Sequence, residues 1–266
     1  QLIGRQLNKP NLISFDMGGT TAKASLIKDG QVETTSEYEV GGGDGNVNRW
    51  MNGAGHPIRV PVIDLAEVSA GGGSIAWIDP VGALRVGPKS AGAAPGPVCY
   101  DGGGVDPTVT DANLTLGYLD PGALLAGRLA IRADKAEAAI TERLAGPLKL
   151  DVDATAAAVV SIVNNAMAEA LRIVSVERGH DAREFSLVAF GGAGPMHAAE
   201  LASELGVREI IIPPIPGGFS ALGLVATDLK RDYVKTFYAP LTGIDPADIN
   251  AVYQGMEESA RDMLRA

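Results

Sequence analysis

The chain has 266 residues, of which 46% are hydrophobic and 20% charged, a composition typical of a globular protein large enough to bury a sizeable core. Its formal net charge is −10 and no lysine and arginine cluster stands out, which argues against a nucleic-acid-binding surface. The single cysteine, Cys99, excludes an internal disulfide framework. No apolar run reaches the roughly 18 residues of a membrane span, and the first residues lack the pattern of a signal peptide. These features predict a cytoplasmic protein without nucleic-acid or membrane partners.

The N-terminal part of the chain is predicted to consist of short strands. Residues 11–40 have the alternation and the tight Asp-Gly turn of a three-stranded meander. Residues 60–65 are predicted to form a short buried strand, and residues 75–78 and 84–86 a hairpin. Glycine-rich loops separate these strands.

Helical patterns begin after residue 106 and alternate with buried strands. A broad apolar stripe predicts one long helix, and a continuous apolar run of six residues predicts a strand buried on both faces. The predicted order is helix 110–116, helix 133–144, helix 153–177, strand 185–190, helix 195–205, strand 209–212 and helix 220–227. Antiparallel strands followed by this alternation predict an α/β fold, a mixed sheet with packed helices.

Both ends of the sequence look interrupted. The first residue is Gln1 rather than Met, and the pair Asp245-Pro246 begins an amphipathic helical pattern that reaches Ala266 without a capping residue. This pattern predicts a piece of a longer polypeptide, with residues 241–266 as the start of a truncated C-terminal segment.

The turn Asp-Met-Gly-Gly-Thr-Thr at residues 16–21 follows the first apolar strand. Successive backbone N–H groups in such a turn can point at phosphate oxygens, and the threonine hydroxyls add donors. Asp16 suits a carboxylate that holds Mg²⁺ through water, because magnesium takes few protein ligands. Lys23 lies two residues beyond Thr21, so strand alternation places both on one side. The alternative is a glycine hairpin with a solvated aspartate. The predicted phosphate-binding residues are Gly18, Gly19, Thr20, Thr21 and Lys23.

The turn Phe-Gly-Gly-Ala-Gly-Pro at residues 190–195 leads from a strand into a helix. Pro195 suits the first helical turn, and a helix N-terminus preceded by glycines accepts an anion or lets adenosine lie flat on the backbone. The sequence satisfies neither the Rossmann nor the Walker pattern, and an ordinary tight turn is the alternative. The predicted adenosine-binding residues are Gly191, Gly192 and Gly194.

Five blocks of sequence occur in one order: residues 16–23, 68–76, 94–100, 110–114 and 190–198. They include Ser-Ala-Gly-Gly-Gly-Ser-Ile-Ala, Ala-Pro-Gly-Pro-Val-Cys-Tyr and Phe-Gly-Gly-Ala-Gly-Pro-Met-His. Together they resemble the hydantoinase A / 5-oxoprolinase family, which contains ATP-dependent N-methylhydantoinases, 5-oxoprolinases and subunits of acetone and acetophenone carboxylases.

The resemblance implies an actin/hexokinase/Hsp70-like (ribonuclease H-like) ATPase lobe. Members of that class hold their nucleotide between two lobes, each with its own phosphate turn. Residues 8–240 would form one lobe, with a glycine-rich insertion region at 41–130, and the N-terminal lobe of the same polypeptide would be missing. The implied cofactors are ATP and Mg²⁺, and the implied partner is a hydantoinase B-type subunit or domain.

The implied reaction is the ATP-dependent opening of a cyclic amide of the hydantoin or 5-oxoproline type. Phosphorylation of the carbonyl oxygen gives an imidate-like ester that water opens more readily than the amide, and the protein supplies positioning and charge neutralisation. One alternative is a subunit of a ketone carboxylase with the same ATP step, and another is a non-catalytic nucleotide-binding module. The fragment alone is expected to be inactive.

Two further aspartates are candidates for catalysis alongside Asp16. Asp64 and Asp111 lie at element ends near glycine loops, where either can bind metal or act as a base. Asp111 follows Thr110 and is also a good helix-start residue, so helix capping is its alternative role.

Three other side chains need weighing. Many relatives carry a histidine where this chain has Ala66, so any role of that imidazole is either missing here or taken by Glu67. His197 falls in the first turn of a helix and is either a donor to phosphate or substrate, or a hydrogen-bonded packed histidine. Cys99 is expected to be a packed thiol rather than a nucleophile, because no histidine is close to it in sequence.

Overall fold

The computed structural model of the chain describes residues 1–35, 38–40, 56–58, 61–122, 130–227, 231–240 and 242–265. Two compact units are present, Gln1–Val225 and Ala226–Ala266. The division therefore assigns residues 226–240 to the second unit, whereas the sequence places a boundary at residue 240. The predicted glycine-rich loop at 41–55 lies outside the described residues.

The first unit contains all of the strands that the structure describes and most of its helices. The strands are β1 (Leu12–Met17), β2 (Ala22–Lys28), β3 (Gln31–Val32), β4 (Thr34–Thr35), β5 (Tyr38–Val40), β6 (His56–Ile58), β7 (Val62–Ile63), β8 (Leu65–Val68), β9 (Ser74–Ile78), β10 (Leu84–Ser90), β11 (Ser186–Phe190) and β12 (Ile210–Ile211). The helices are α1 (Leu2–Leu7), α2 (Val109–Thr115), α3 (Ala133–Ile140), α4 (Gly146–Leu148), α5 (Val152–Val174), α6 (Gly194–Leu205) and α7 (Phe219–Val225), and the second unit adds α8 (Pro246–Arg265).

A mixed sheet organises the first unit. Its order is β12-β11-β1-β2-β3, and β8 also pairs with β2. Strands β1, β2 and β3 are antiparallel neighbours, whereas β11 runs parallel to β1 and β12 parallel to β11. In this register Asp16 lies opposite Phe190 on one side and opposite Lys23 on the other. Because β1 and β11 are parallel, the two glycine turns that follow them leave the sheet at the same edge.

The main core lies between one face of the sheet and the long helix α5. Alternate residues of β1, namely Ile13, Phe15 and Met17, are buried there, and the apolar stripe of α5 packs with them. The opposite face carries a smaller cluster around Leu12, which α1 and α7 contact. The alternation therefore leaves Asp16 on the face with the smaller core, where its carboxylate can remain near solvent.

Helix α5 is long and largely apolar. Residues 152–178 are long and apolar enough to cross a membrane by length and composition, with a mean hydropathy of 1.4 in the tested stretch. The helix is not an uninterrupted apolar run, because Asn164, Asn165 and Glu169 lie within it. Half of that stretch is buried inside the protein, and its apolar side chains belong to the main core, as in the central helix of a globular domain.

Several predicted elements differ from the structure in their limits. The third strand of the meander is divided among β3, β4 and β5, and the predicted strand at 60–65 is replaced by β7 and β8. The region was also predicted to be buried, whereas Ile63 and Leu65 are 50% and 49% exposed. Helix α1 has no counterpart in the predicted order.

Candidate functional site

Three glycine segments meet at the carboxyl end of β1. The Ala193 N–H donates to the Met17 carbonyl at 2.9 Å, which joins the turn after β11 to the turn after β1. The N–H groups of Gly72 and Gly73 donate to the carbonyls of Gly18 and Gly19, at 3.0 and 2.6 Å. The two turns that the sequence singles out are therefore neighbours, and residues 71–73 lie directly against the first of them.

The approach of these segments requires glycine at two positions. Gly191 has φ +84°, and a Cβ there would lie 2.3 Å from the Met17 carbonyl oxygen and 2.4 Å from Oδ1 of Asp16. A Cβ at Gly71 would lie 2.6 Å from the backbone of Gly19. Both distances are far below van der Waals contact, so any larger residue must displace the backbone that forms the turn.

Several amide groups at this junction remain available as donors. The Gly18 N–H closes the first turn by donating to the Thr21 carbonyl at 3.0 Å. The N–H groups of Gly19, Thr20 and Thr21 donate to no acceptor in the described part of the chain, and neither does that of Gly192. Gly19, Thr20 and Gly192 are exposed. Backbone N–H groups of this kind, presented by two adjacent turns, are the donors that anion-binding surfaces use.

Gly194 is packed inside the protein rather than open to solvent. It is buried at the start of α6, and a Cβ there would lie 3.5 Å from the Met17 nitrogen. Gly194 therefore lets α6 begin close to β1, and Gly192 is the glycine of this turn with an accessible surface.

A row of side chains crosses the sheet next to the turns. Phe190, Asp16, Lys23 and Glu67 are successive partners on β11, β1, β2 and β8 and share one face. Lys23 Nζ lies 3.7 Å from Oε1 of Glu67, and both side chains are about half exposed. An ion pair this exposed contributes little to stability, so the ammonium of Lys23 is free to turn toward an anion beside Asp16.

The carboxylate of Asp16 has one occupied and one open oxygen. Its Oδ2 accepts a hydrogen bond from the Ser220 hydroxyl at 2.7 Å, and Oδ1 accepts none from the described residues. No group of three or more histidine, cysteine, aspartate or glutamate side chains suited to a metal occurs among those residues. A single carboxylate fits magnesium, which keeps several waters and takes its other ligands from phosphates, and it does not fit a metal that needs a protein cage. Ser220 was not among the predicted site residues.

Asp64 lies away from this junction, contrary to the prediction. Val68 of β8 is opposite Ala22 beside the first turn, and Asp64 precedes β8, about 13 Å farther along by the rise of a strand. Its carboxylate is 12% exposed and forms an ion pair with Arg178 at 2.8 Å. The structure therefore gives Asp64 a bridging position at the other end of the sheet.

Asp111 is fully buried, and its carboxylate is saturated with donors. It accepts hydrogen bonds from the N–H groups of Val98 and Cys99 and from both the N–H and the hydroxyl of Thr108. Thr108, rather than Thr110, is the N-cap of α2, and Asp111 completes a capping box with it. This geometry supports the capping role over the catalytic one, because both carboxylate oxygens accept hydrogen bonds within the protein and Asp111 has no exposed surface.

The adjacent Cys99 is also fully enclosed. Burial, together with the charge of Asp111, raises the pKa of its thiol well above the usual range. A thiol that stays protonated is a poor nucleophile, in agreement with the expected packing role.

His197 is a buried, hydrogen-bonded histidine, the second of the two alternatives. Its Nδ1–H donates to Asn164 Oδ1 at 2.7 Å, and its Nε2 accepts from Asn113 Nδ2 at 3.1 Å. Burial lowers the pKa of the imidazole to about 4, so the ring is neutral. Both ring nitrogens are occupied and the side chain is 1% exposed, which leaves no atom to contact a phosphate. His197 instead connects α6 with α2 and α5.

This burial predicts a pH dependence of stability. The folded pKa of His197 is about 4, below the ordinary value of 6.5, so the unfolded chain binds the proton more tightly. The stabilisation that comes from the neutral, buried His197 is complete at pH values above 6.5 and is lost as the pH falls toward 4. Between pH 7 and pH 4.5, wild type is expected to lose about 2.5 kcal/mol that a His197→Gln variant does not lose. Urea unfolding at both pH values measures this, with His56→Gln as the exposed control. Equal losses in wild type and His197→Gln would contradict it.

Comparison with known proteins shows the family of the chain. The profile of the hydantoinase/oxoprolinase family matches residues 1–233. An uncharacterized protein of Methanocaldococcus jannaschii is 49% identical over 258 residues, which cover 97% of this chain and 38% of that protein. The caprolactamase alpha subunit of Pseudomonas jessenii is 40% identical over 257 residues, which cover 96% of this chain and 35% of the subunit.

Two solved structures share the fold. The crystal structure of the ATP-dependent caprolactamase from Pseudomonas jessenii matches 99% of this chain with a TM-score of 0.77 at 38% identity, over 37% of that chain. The nucleotide-free structure of acetone carboxylase matches 85% of this chain with a TM-score of 0.75 at 30% identity, over 30% of that chain. This chain therefore spans about a third of the length of these relatives, between 30% and 38%. It belongs to the hydantoinase/oxoprolinase family.

Proposed function

We propose that the chain is one nucleotide-binding lobe of an enzyme that uses ATP to open a cyclic amide. The observation that carries the proposal is the meeting of the turns after β1 and β11. Together they present unpaired amide donors beside one half-buried carboxylate. Such a junction suits a polyphosphate and offers little to a neutral ligand.

The residues around the junction have separate parts in this proposal. The amides and hydroxyls of Thr20 and Thr21, with the amide of Gly19, would hold the phosphates. Lys23 would add a positive charge, and Asp16 would hold hydrated Mg²⁺ through its open oxygen. The exposed backbone of Gly192, next to the partly buried Gly191, would support the adenosine, with Gly194 in a packing role beneath it.

The chemistry assigned to these residues is positioning and charge neutralisation. Bound ATP supplies a phosphoryl group for the carbonyl oxygen of the amide, and Mg²⁺ neutralises charge on the phosphates. Fixed amide donors at Gly19 and Thr20 lose no orientational freedom when charge moves along the phosphates, which is why preorganised donors stabilise such transition states. Glu67 lies in the same row and is the remaining candidate for a proton acceptor.

The choice of a cyclic amide rests on the relatives. The caprolactamase alpha subunit is named for a lactam, and the family is named for hydantoin and oxoproline, all of which contain an amide in a ring. The acetone carboxylase whose structure shares this fold is described as carrying out ATP-dependent acetone carboxylation. This supports a ketone carboxylase subunit as the second candidate function.

The wider organisation of the protein is part of the proposal. A mixed sheet with helices packed on it supports an actin/hexokinase/Hsp70-like lobe, in residues 8–240, that faces a second lobe of the same polypeptide. The alpha-subunit name of the caprolactamase relative supports a partner subunit, which we propose to be of the hydantoinase B type. The single buried thiol of Cys99 supports a reducing compartment, the cytoplasm.

The test is ATP hydrolysis by the full-length polypeptide with its partner subunit. Hydantoin, 5-oxoproline, caprolactam and simple ketones with bicarbonate are each added, and ATP turnover is measured. Stimulation by a cyclic amide without bicarbonate supports the proposal. Stimulation by a ketone only in the presence of bicarbonate supports the carboxylase. ATP binding without stimulation by any of these compounds contradicts both and leaves a non-catalytic nucleotide-binding module.

A further inference from the structure

The segment before and within α7 is attached to the strand ends of the site by three different contacts. The Gly191 N–H donates to the Pro216 carbonyl at 3.0 Å. The ring of Phe219 meets that of Phe190 edge to face, with centroids 5.1 Å apart. The hydroxyl of Ser220 donates to Asp16 Oδ2 at 2.7 Å. A backbone hydrogen bond and an aromatic pair thus fix the place from which Ser220 reaches Asp16.

This contact restricts the orientation of the Asp16 carboxylate. With Oδ2 bound to Ser220, Oδ1 lies beside Gly191, in the space that a side chain would otherwise fill. A half-exposed carboxylate without such a partner rotates about its terminal bond, which has a broad and roughly two-fold profile. A hydroxyl that donates to one oxygen therefore narrows the range of this torsion angle and leaves the other oxygen open.

We propose that Ser220 is a positioning residue for the divalent cation that Asp16 holds, an inference that rests on the proposed function. Ser220 keeps Asp16 Oδ1 beside Gly191, at the junction of the two turns. Outer hydrogen-bond partners of metal-holding carboxylates act in this way, and their loss costs about 10- to 100-fold in metal affinity.

Substitutions at Ser220 separate this role from a structural one. Ser220 is exposed, so Ser220→Ala removes the hydroxyl with little loss of packing. Ser220→Thr keeps a hydroxyl and is the conservative variant. Ser186→Ala is the matched control, because the Ser186 hydroxyl also donates to a carboxylate, that of Glu209, from the opposite end of β11.

The experiment is a titration of the full-length protein with Mn²⁺ in the presence of a non-hydrolysable ATP analogue, followed by electron paramagnetic resonance. Ser220→Ala is expected to raise the half-saturating Mn²⁺ concentration roughly tenfold, with Ser220→Thr and Ser186→Ala close to wild type. Affinity for the analogue without metal is expected to stay unchanged in Ser220→Ala. Asp16→Asn is measured alongside as the reference for loss of the cation.

The outcomes distinguish failure of the proposed nucleotide site from failure of the positioning role of Ser220. If Asp16→Asn leaves Mn²⁺ binding unchanged, the proposed nucleotide site is wrong, and the role of Ser220 falls with it. If Asp16→Asn weakens binding but Ser220→Ala matches wild type, only the positioning role is wrong. Failure of Ser220→Thr to bind Mn²⁺ better than Ser220→Ala also overturns it, because the hydroxyl is then not the group that matters.

Discussion

Replacement of Asp16 by asparagine is expected to lower substrate-stimulated ATP hydrolysis in the full-length protein by on the order of 100-fold or more. Asparagine has the shape of aspartate and still accepts a hydrogen bond from Ser220, so the change removes mainly the negative charge. In the proposed site, the divalent cation would then lose the carboxylate that holds it, and charge on the phosphates would no longer be neutralised. Steady-state ATP turnover with the stimulating substrate measures the loss.

The matched control for this experiment is Asp153→Asn. Asp153 lies in the first turn of α5, where its carboxylate is exposed. It is expected to keep wild-type turnover and to lose only a few tenths of a kcal/mol in stability from the helix dipole. Circular dichroism and thermal unfolding establish that both variants are folded. Wild-type turnover in a folded Asp16→Asn protein would remove Asp16 from the site.

Replacement of Gly191 by alanine is expected to reduce the free energy of unfolding by about 3 kcal/mol or more. The backbone at Gly191 is in the left-handed region, which costs alanine about 1 kcal/mol or more. The new methyl group would also overlap the Met17 carbonyl and the Asp16 carboxylate, so the turn or the end of β1 has to move. Urea unfolding of the chain measures the loss.

Gly192→Ala is the internal comparison for that result. A Cβ at Gly192 meets no atom within 4 Å, so its free energy of unfolding is expected to stay within about 0.5 kcal/mol of wild type. The two variants differ by one position in the same turn. Equal stability of Gly191→Ala and Gly192→Ala would show that the close approach of β1 and the turn is not as described.

Much of the secondary structure could be predicted because its signals are local. The apolar run before residue 190 and the stripe of α5 depend only on residue type and spacing, and both elements are where the pattern predicts them. The strand predicted at 60–65 failed for a non-local reason. Val62 and Ile63 pair with β4 in a separate two-stranded sheet, outside the main one, and the side chain of Ile63 remains exposed there.

The candidate site could likewise be predicted only where its signals are local in the sequence. The glycines of both turns and Asp16 stand out in the sequence because their chemistry is tied to a short motif. The partners of isolated polar residues do not stand out, since Asp64 and Arg178, or His197 and Asn164, are brought together only by the fold. Ser220 was missed for this reason, as a serine gives no signal until the structure shows which carboxylate it reaches.

The parallel pairing of β1 with β11 has a consequence for biosynthesis. The turn after β1 is synthesised about 170 residues before β11, so the nascent chain carries this turn without its neighbour until β11 has been made. Any ligand that requires both turns can bind only after this distant contact has closed. Cellular nucleotide would thus favour the finished sheet over earlier collapsed forms and would act as a folding ligand as well as a reactant.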